Sequence, residues 1–87
     1  AASAQQSFML NNYASLSKDM ARGQGESLTA LASSFGCNSQ GIERFSSIMQ
    51  QRHSDIFAVP GAVASWRVVS DIMHADADLN AHCSQII

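Results

Sequence analysis

Apolar side chains return every three or four positions along almost the whole of this chain, and that spacing admits helices and little else. In the first segment Met9, Tyr13, Leu16 and Met20 recur at i, i+4, i+7 and i+11, the stripe that faces a core when a helix turns once every ~3.6 residues. Lys18, Asp19 and Arg22 stay off that stripe. The pattern predicts a helix over about residues 5–22, stopped by Gly23-Gln24-Gly25, because glycine is the costliest helix residue after proline. A shorter helix follows, with Leu28, Leu31, Ala32 and Phe35 on one face, Glu26 in the first turn where a carboxylate complements the helix dipole, and Gly36 as a C-terminal stop. A glycine pair between two amphipathic helices implies a helical hairpin or a kink.

Asn38 or Ser39 can cap a third helix by accepting a hydrogen bond from an orphaned backbone N–H, and Ile42, Phe45, Met49 and Ile56 form its stripe. Arg44, Gln50, Gln51 and Arg52 read as its wet face. Phe57-Ala58-Val59-Pro60-Gly61 ends it, since the residue before a proline is pushed out of helical space, and Pro60 suits the first turn of a fourth helix. Ala62, Trp66, Val69 and Met73, flanked by Val63 and Ile72, make that helix the most apolar and the predicted centre of the core. Asp76 or Asp78 caps a last short helix whose Leu79, Cys83 and Ile86 share a face. The expectation is an all-α bundle of four or five short helices forming one domain over residues 1–87, with residues 1–4 as a flexible tail. No repeat, low-complexity tract or strand-like alternation competes with it.

At 87 residues the core is small and needs reinforcement. Cys37 and Cys83 supply a candidate. Their surroundings match no zinc or redox motif, and closing a loop of this length stabilises a fold by ~4 kcal/mol in the chain-entropy model. Two buried free thiols are the alternative. The chain begins Ala1-Ala2-Ser3-Ala4-Gln5-Gln6 without an initiator Met, which fits either removal of a signal or a piece of a longer precursor. Five cations against seven carboxylates give a net charge of −2, which argues against phosphate-backbone binding and so against a nucleic-acid partner. No apolar run approaches the ~18 residues of a membrane-spanning helix.

Each motif that hints at chemistry weakens on inspection. Gly23-Gln24-Gly25-Glu26-Ser27-Leu28 starts like a dinucleotide fingerprint but lacks the third glycine and follows a helix rather than a strand. Asp76-Ala77-Asp78-Leu79-Asn80 opens like a calcium loop, yet Ala81 stands where the sharp turn needs glycine and Ile87 where a bidentate Glu is needed. His74, Asp76, Asp78 and His82 crowd together and are the candidates for a divalent metal; capping aspartates with surface histidines are the blander reading. His53, Ser54 and Asp55 have the residue types of a hydrolytic triad, but neighbours on a helix point ~100° apart and cannot converge. No catalytic residue and no cofactor is expected. Arg22, Gly23, Gln24, Gly25 and Glu26 remain as a possible interaction epitope or hinge, against the simpler reading of a turn in which Arg22 and Glu26 pair or cap helix ends.

The stretch from Phe8 through Lys18-Asp19-Met20-Ala21-Arg22-Gly23-Gln24-Gly25-Glu26-Ser27-Leu28-Thr29-Ala30-Leu31-Ala32 resembles the C-terminal helical part of a family of small exported proteobacterial proteins classed only as a domain of unknown function. In that family an ARGQGE-LxxLA-like stretch recurs, and a signal peptide and a Gly-rich, cysteine-containing section usually precede it. The resemblance implies an extracytoplasmic, periplasmic location and carries over no catalytic residue. Two functions from different classes follow. One is a non-enzymatic protein-interaction or structural module, self-association included, whose Met9, Met20, Met49 and Met73 offer an adaptable apolar surface. The other is a small-molecule or lipid-binding domain with a cavity around Trp66, Phe35, Phe45 and Tyr13.

Overall fold

Most helix breaks in this chain fall where a side chain or a glycine offers the backbone another partner. The structure, a computed structural model, describes residues 3–86. Its helices are α1 (Ala4–Asn11), α2 (Tyr13–Arg22), α3 (Glu26–Ser34), α4 (Ser39–Gln51), α5 (His53–Phe57), α6 (Ala62–Ala75) and α7 (Ala77–His82). The all-α bundle is as expected, but with seven helices among the described residues instead of four or five. The first predicted helix splits at Asn12, whose backbone leaves helical space while its side-chain amide donates to the Phe8 carbonyl at 2.9 Å. A short amide side chain that bonds the preceding turn competes with the helical ladder. Arg52, at φ −101° and with its side chain on Asp55 and not on the backbone, divides α4 from α5, so Ile56 is buried from α5 and does not extend the α4 stripe. Pro60 stays outside α6, because Gly61 at φ 89° holds the N-cap position between them.

The core is continuous from α1 to α7. Met9, Leu16, Met20, Leu28, Leu31, Phe45, Met49, Ile56, Val69, Met73 and Leu79 are all fully buried, each contributing roughly 1.5–3 kcal/mol if of Leu, Phe or Met size. All four methionines are core filler, which removes the adaptable apolar surface they were expected to provide. The central helix is α4, packed against α2, α3, α5 and α7. The more apolar α6 was expected there, but it lies to the side against α1, α5 and α7. Its composition misleads because Ser65 takes the first position of its buried face, its hydroxyl 3.2 Å from that of Tyr13, while Val63 points outward and is 46% exposed.

Cys37 and Cys83 are joined in a disulfide, S–S 2.00 Å, beside the one antiparallel bridge of the described residues. Asn38 N–H donates to the His82 carbonyl at 3.0 Å and Ser84 N–H to that of Gly36 at 3.3 Å. Gly41, in the first turn of α4, lies so close that a Cβ there would meet the His82 carbonyl oxygen at 2.8 Å and the Cys37 Cβ at 2.9 Å. The disulfide thus pins the start of the central helix to the end of the last one. At the other end, the expected flexible tail over residues 1–4 falls partly on residues 1 and 2, which lie outside the described residues. Ser3 is no tail, since its hydroxyl caps α1 by accepting from Gln6 N–H at 3.1 Å. Gln5 is buried and donates to the carbonyls of Ser34 at 2.9 Å and Gln85 at 3.4 Å. No helix among the described residues is long and apolar enough to cross a membrane.

Candidate functional site

Gly23, Gln24 and Gly25 form the turn between α2 and α3, with Arg22 and Glu26 as the flanking helix ends, and the turn is organised by a residue that the sequence pattern kept off the apolar stripe. Asp19, on the last turn of α2, is only 6% exposed. Its carboxylate accepts from Ser27 N–H at 2.9 Å and Leu28 N–H at 3.2 Å, so it caps α3 from across the turn, and from the Arg22 guanidinium at 2.8 Å. The orphaned N–H groups at a helix start ordinarily find a side chain at the N-cap position. Here that position is Gly25, and a Cβ on it would collide with the Asp19 carboxylate. Gly23, at φ 73°, ends α2 in the left-handed conformation, with its N–H turned to the carbonyls of Asp19 and Met20. A Cβ at Gly23 would meet the Gln50 amide at 2.7 Å, and that amide donates to the Ala21 carbonyl at 3.3 Å.

Gly25 is therefore required by close approach to a capping carboxylate, and Gly23 by its left-handed backbone, since the exposed Gln50 side chain can swing aside. Arg22 pairs with Asp19 and not with Glu26, which correctly sits in the first turn of α3 but forms no ion pair among the described residues. The clue to Asp19 was its place beside the apolar stripe, next to Met20 and three residues after Leu16. An open groove of about 290 Å³ lies over this turn, lined by Ser15, Lys18, Asp19, Arg22, Glu26 and Ser27. Both signs of charge line it, and its buried carboxylate is fully engaged.

The four candidate metal ligands do not converge, and no set of metal-ligating side chains is assembled among the described residues. Asp76 caps α7 by accepting from Leu79 N–H at 2.9 Å, and its two oxygens take the Arg44 guanidinium at 2.6 and 3.2 Å. The hydrogen bond from Arg44, with the Leu79 N–H and the guanidinium charge behind it, holds the Asp76 carboxyl below its ordinary pKa; the same pair raises that of Arg44. Asp78 lies 4.0 Å from Arg44, His74 Nδ1 is 2.8 Å from the Ser70 carbonyl, and His82 Nδ1 is 3.2 Å from the Asn38 amide.

The triad types separate as well. His53 turns its Nε2 to the Ser17 carbonyl at 3.0 Å, Asp55 binds Arg52 at 2.6 Å, and Ser54 is exposed. Around the proposed ligand cavity the rings fill the space themselves: Phe35 stacks on Trp66 with centroids 5.8 Å apart and lies 6.0 Å from Phe45, while Tyr13 meets Phe57 edge-on at 5.4 Å. Edge-on and offset stacks of this kind stabilise a core beyond the area they bury.

Comparison with curated proteins and with solved structures finds no match. A family model does match: the one described as "Protein of unknown function (DUF3015)" covers residues 1–83, and this helical, disulfide-tied chain belongs to that family.

Proposed function

We propose that this domain is a non-enzymatic, exported module of the bacterial cell envelope that works by presenting a folded surface to a protein partner. One observation carries the reading. Side chains that the sequence singled out for chemistry or binding hold helices in place: Arg22 with Asp19 joins α2 to α3, Asp76 with Arg44 joins α7 to α4, and His53 joins α5 to α2. A catalytic group needs free lone pairs or protons aimed at a recess, and these groups have partners already. The disulfide supports an oxidising compartment, where such bonds persist. The grooves over the α2–α3 turn and beside α6 are open to the surface, as suits contact with a partner.

The test is in-cell photo-crosslinking from exposed positions on three helices, Thr29 on α3, Glu43 on α4 and Ala75 on α6, with fractionation of the cells. Discrete protein adducts from one face, in the periplasmic fraction, are the expected outcome. Absence of adducts at all three positions, with a lipid or small molecule retained by the purified protein in native mass spectrometry, would replace this reading with the ligand-binding one.

A further inference from the structure

Three of the four arginines in this chain are paired with aspartates of the same chain: Arg22 with Asp19, Arg44 with Asp76 and Asp78, and Arg52 with Asp55. Among the described residues Arg67 is the exception, and Asp71 is the one aspartate with no cation within 4.0 Å. Both lie on α6, one turn apart and exposed.

Residues four apart on a helix form a ridge across its surface. Along α6 the ridge through these two residues reads Val63, Arg67, Asp71, Ala75: apolar, cation, anion, apolar, and exposed at every position. Turned end for end, that ridge is its own complement. Val63 then faces Ala75 and Arg67 faces Asp71, twice over, as a twofold axis requires. The shape follows the charge. Val63 is a large apolar side chain left 46% exposed, and at the opposite end of the ridge small Ala75 borders an open groove of about 280 Å³ lined also by Arg52, Val68, Asp71 and Ile72. A protruding valine and a recess thus sit at the two ends of one self-complementary row.

We propose that a second copy of this chain docks on α6 in the antiparallel direction. Val63 of each copy enters the recess beside Ala75 of the other, and Arg67 of each pairs with Asp71 of the other. Interdigitation of such ridges sets the two helices crossing at about 50°. The proposal rests on the reading as an interaction module and names its partner. A single helix pair with one groove on each side belongs to the interface class below about 1,200 Å², so the dimer is weak and depends on protein concentration.

Sedimentation velocity of the disulfide-intact protein, at concentrations up to ~1 mM, tests this. The wild type is expected to shift from monomer toward dimer as concentration rises. Arg67→Asp presents two acids to two acids and Asp71→Arg two bases to two bases, so each is expected to weaken self-association by about tenfold or more, with an unchanged melting temperature. An equimolar mixture of the two variants, and the double variant Arg67→Asp/Asp71→Arg, are expected to dimerise again. A wild type that stays monomeric at the highest concentration overturns the proposal, and so does a dimer indifferent to the single reversals or a mixture that fails to associate. If the wild type is monomeric while photo-crosslinks to another protein persist, only self-docking fails and the interaction reading stands.

Discussion

The starts of α3 and α7 are built from the same parts in opposite connection. In both, an aspartate caps the helix and takes an arginine. At α7 the cap is local, from Asp76 to Leu79 N–H, and the arginine is remote, reaching from α4 at Arg44. At α3 the arginine is local, Arg22 on the same helix as Asp19, and the cap is remote, crossing the turn to Ser27 and Leu28. A local cap is written in three or four consecutive residues. A remote one depends on the backbone between donor and acceptor folding tightly enough, which here takes Gly23 and Gly25. The α7 start needs no glycine of its own, but the disulfide just past the far end of the helix adds a covalent hold on α7 as a whole.

The comparison breaks most completely at that covalent hold. Replacing both cysteines by alanine, Cys37→Ala/Cys83→Ala, is expected to destabilise the fold by ~4 kcal/mol, in line with a 46-residue separation. Thermal unfolding would show a fall of at least ~15 °C for a chain of this size. A fall of a few degrees would mean that the Arg44–Asp76 link suffices for α7.

The α3 start is sharpened by a pair of glycine substitutions. Gly25 and Gly61 are both N-cap glycines at positive φ, 142° and 89°, but a Cβ at Gly61 meets nothing within 4 Å. Gly61→Ala therefore reports backbone strain alone, ~1 kcal/mol at the low end for such positions. Gly25→Ala must also displace the Asp19 carboxylate and is expected to cost ~3 kcal/mol, as strain and a lost cap combine. Chemical denaturation of the two variants measures the difference. Equal losses would show that Asp19 contributes nothing to the start of α3.

The smallest effect concerns acid. Because the folded Asp76 carboxyl titrates below its unfolded value, the stability it adds is present above about pH 4 and is lost as pH falls through the folded value. Asp76→Asn keeps a capping oxygen and loses the ionised partner of Arg44. Its stability curve is expected to lie below the wild type at neutral pH and to converge with it below about pH 4. Parallel curves across that range would remove the ion pair from the account of α7.

What the sequence revealed and what it hid follow the same division between local and remote. The stop at Gly36, the Asn38 and Asp76 caps and the buried faces of α2, α3 and α4 are patterns within one or two helical turns, and they were legible. The disulfide was legible because two cysteines at this separation in a small core leave few roles. Asp19 was hidden, since a carboxylate off the apolar stripe looks solvated until its acceptors across the turn are known. Ser65 was hidden for the same reason, its partner Tyr13 lying 52 residues away. The breaks at Asn12 and Arg52 escaped because both residues are tolerated inside helices, and only the packing of α1 and α5 against their neighbours uses the bend. The open ridge of α6 could not be read from its own residues, because exposure depends on which neighbours the fold assigns to it.

The buried amide of Gln5 reaches a carbonyl 80 residues along the chain. Most helical bundles close by short-range contacts and fold fast, but here the first helix, held also through Ser34, donates one hydrogen bond to the last residues described. Bringing the two ends together costs loop-closure entropy, and folding is expected to run slower than in a bundle of hairpins.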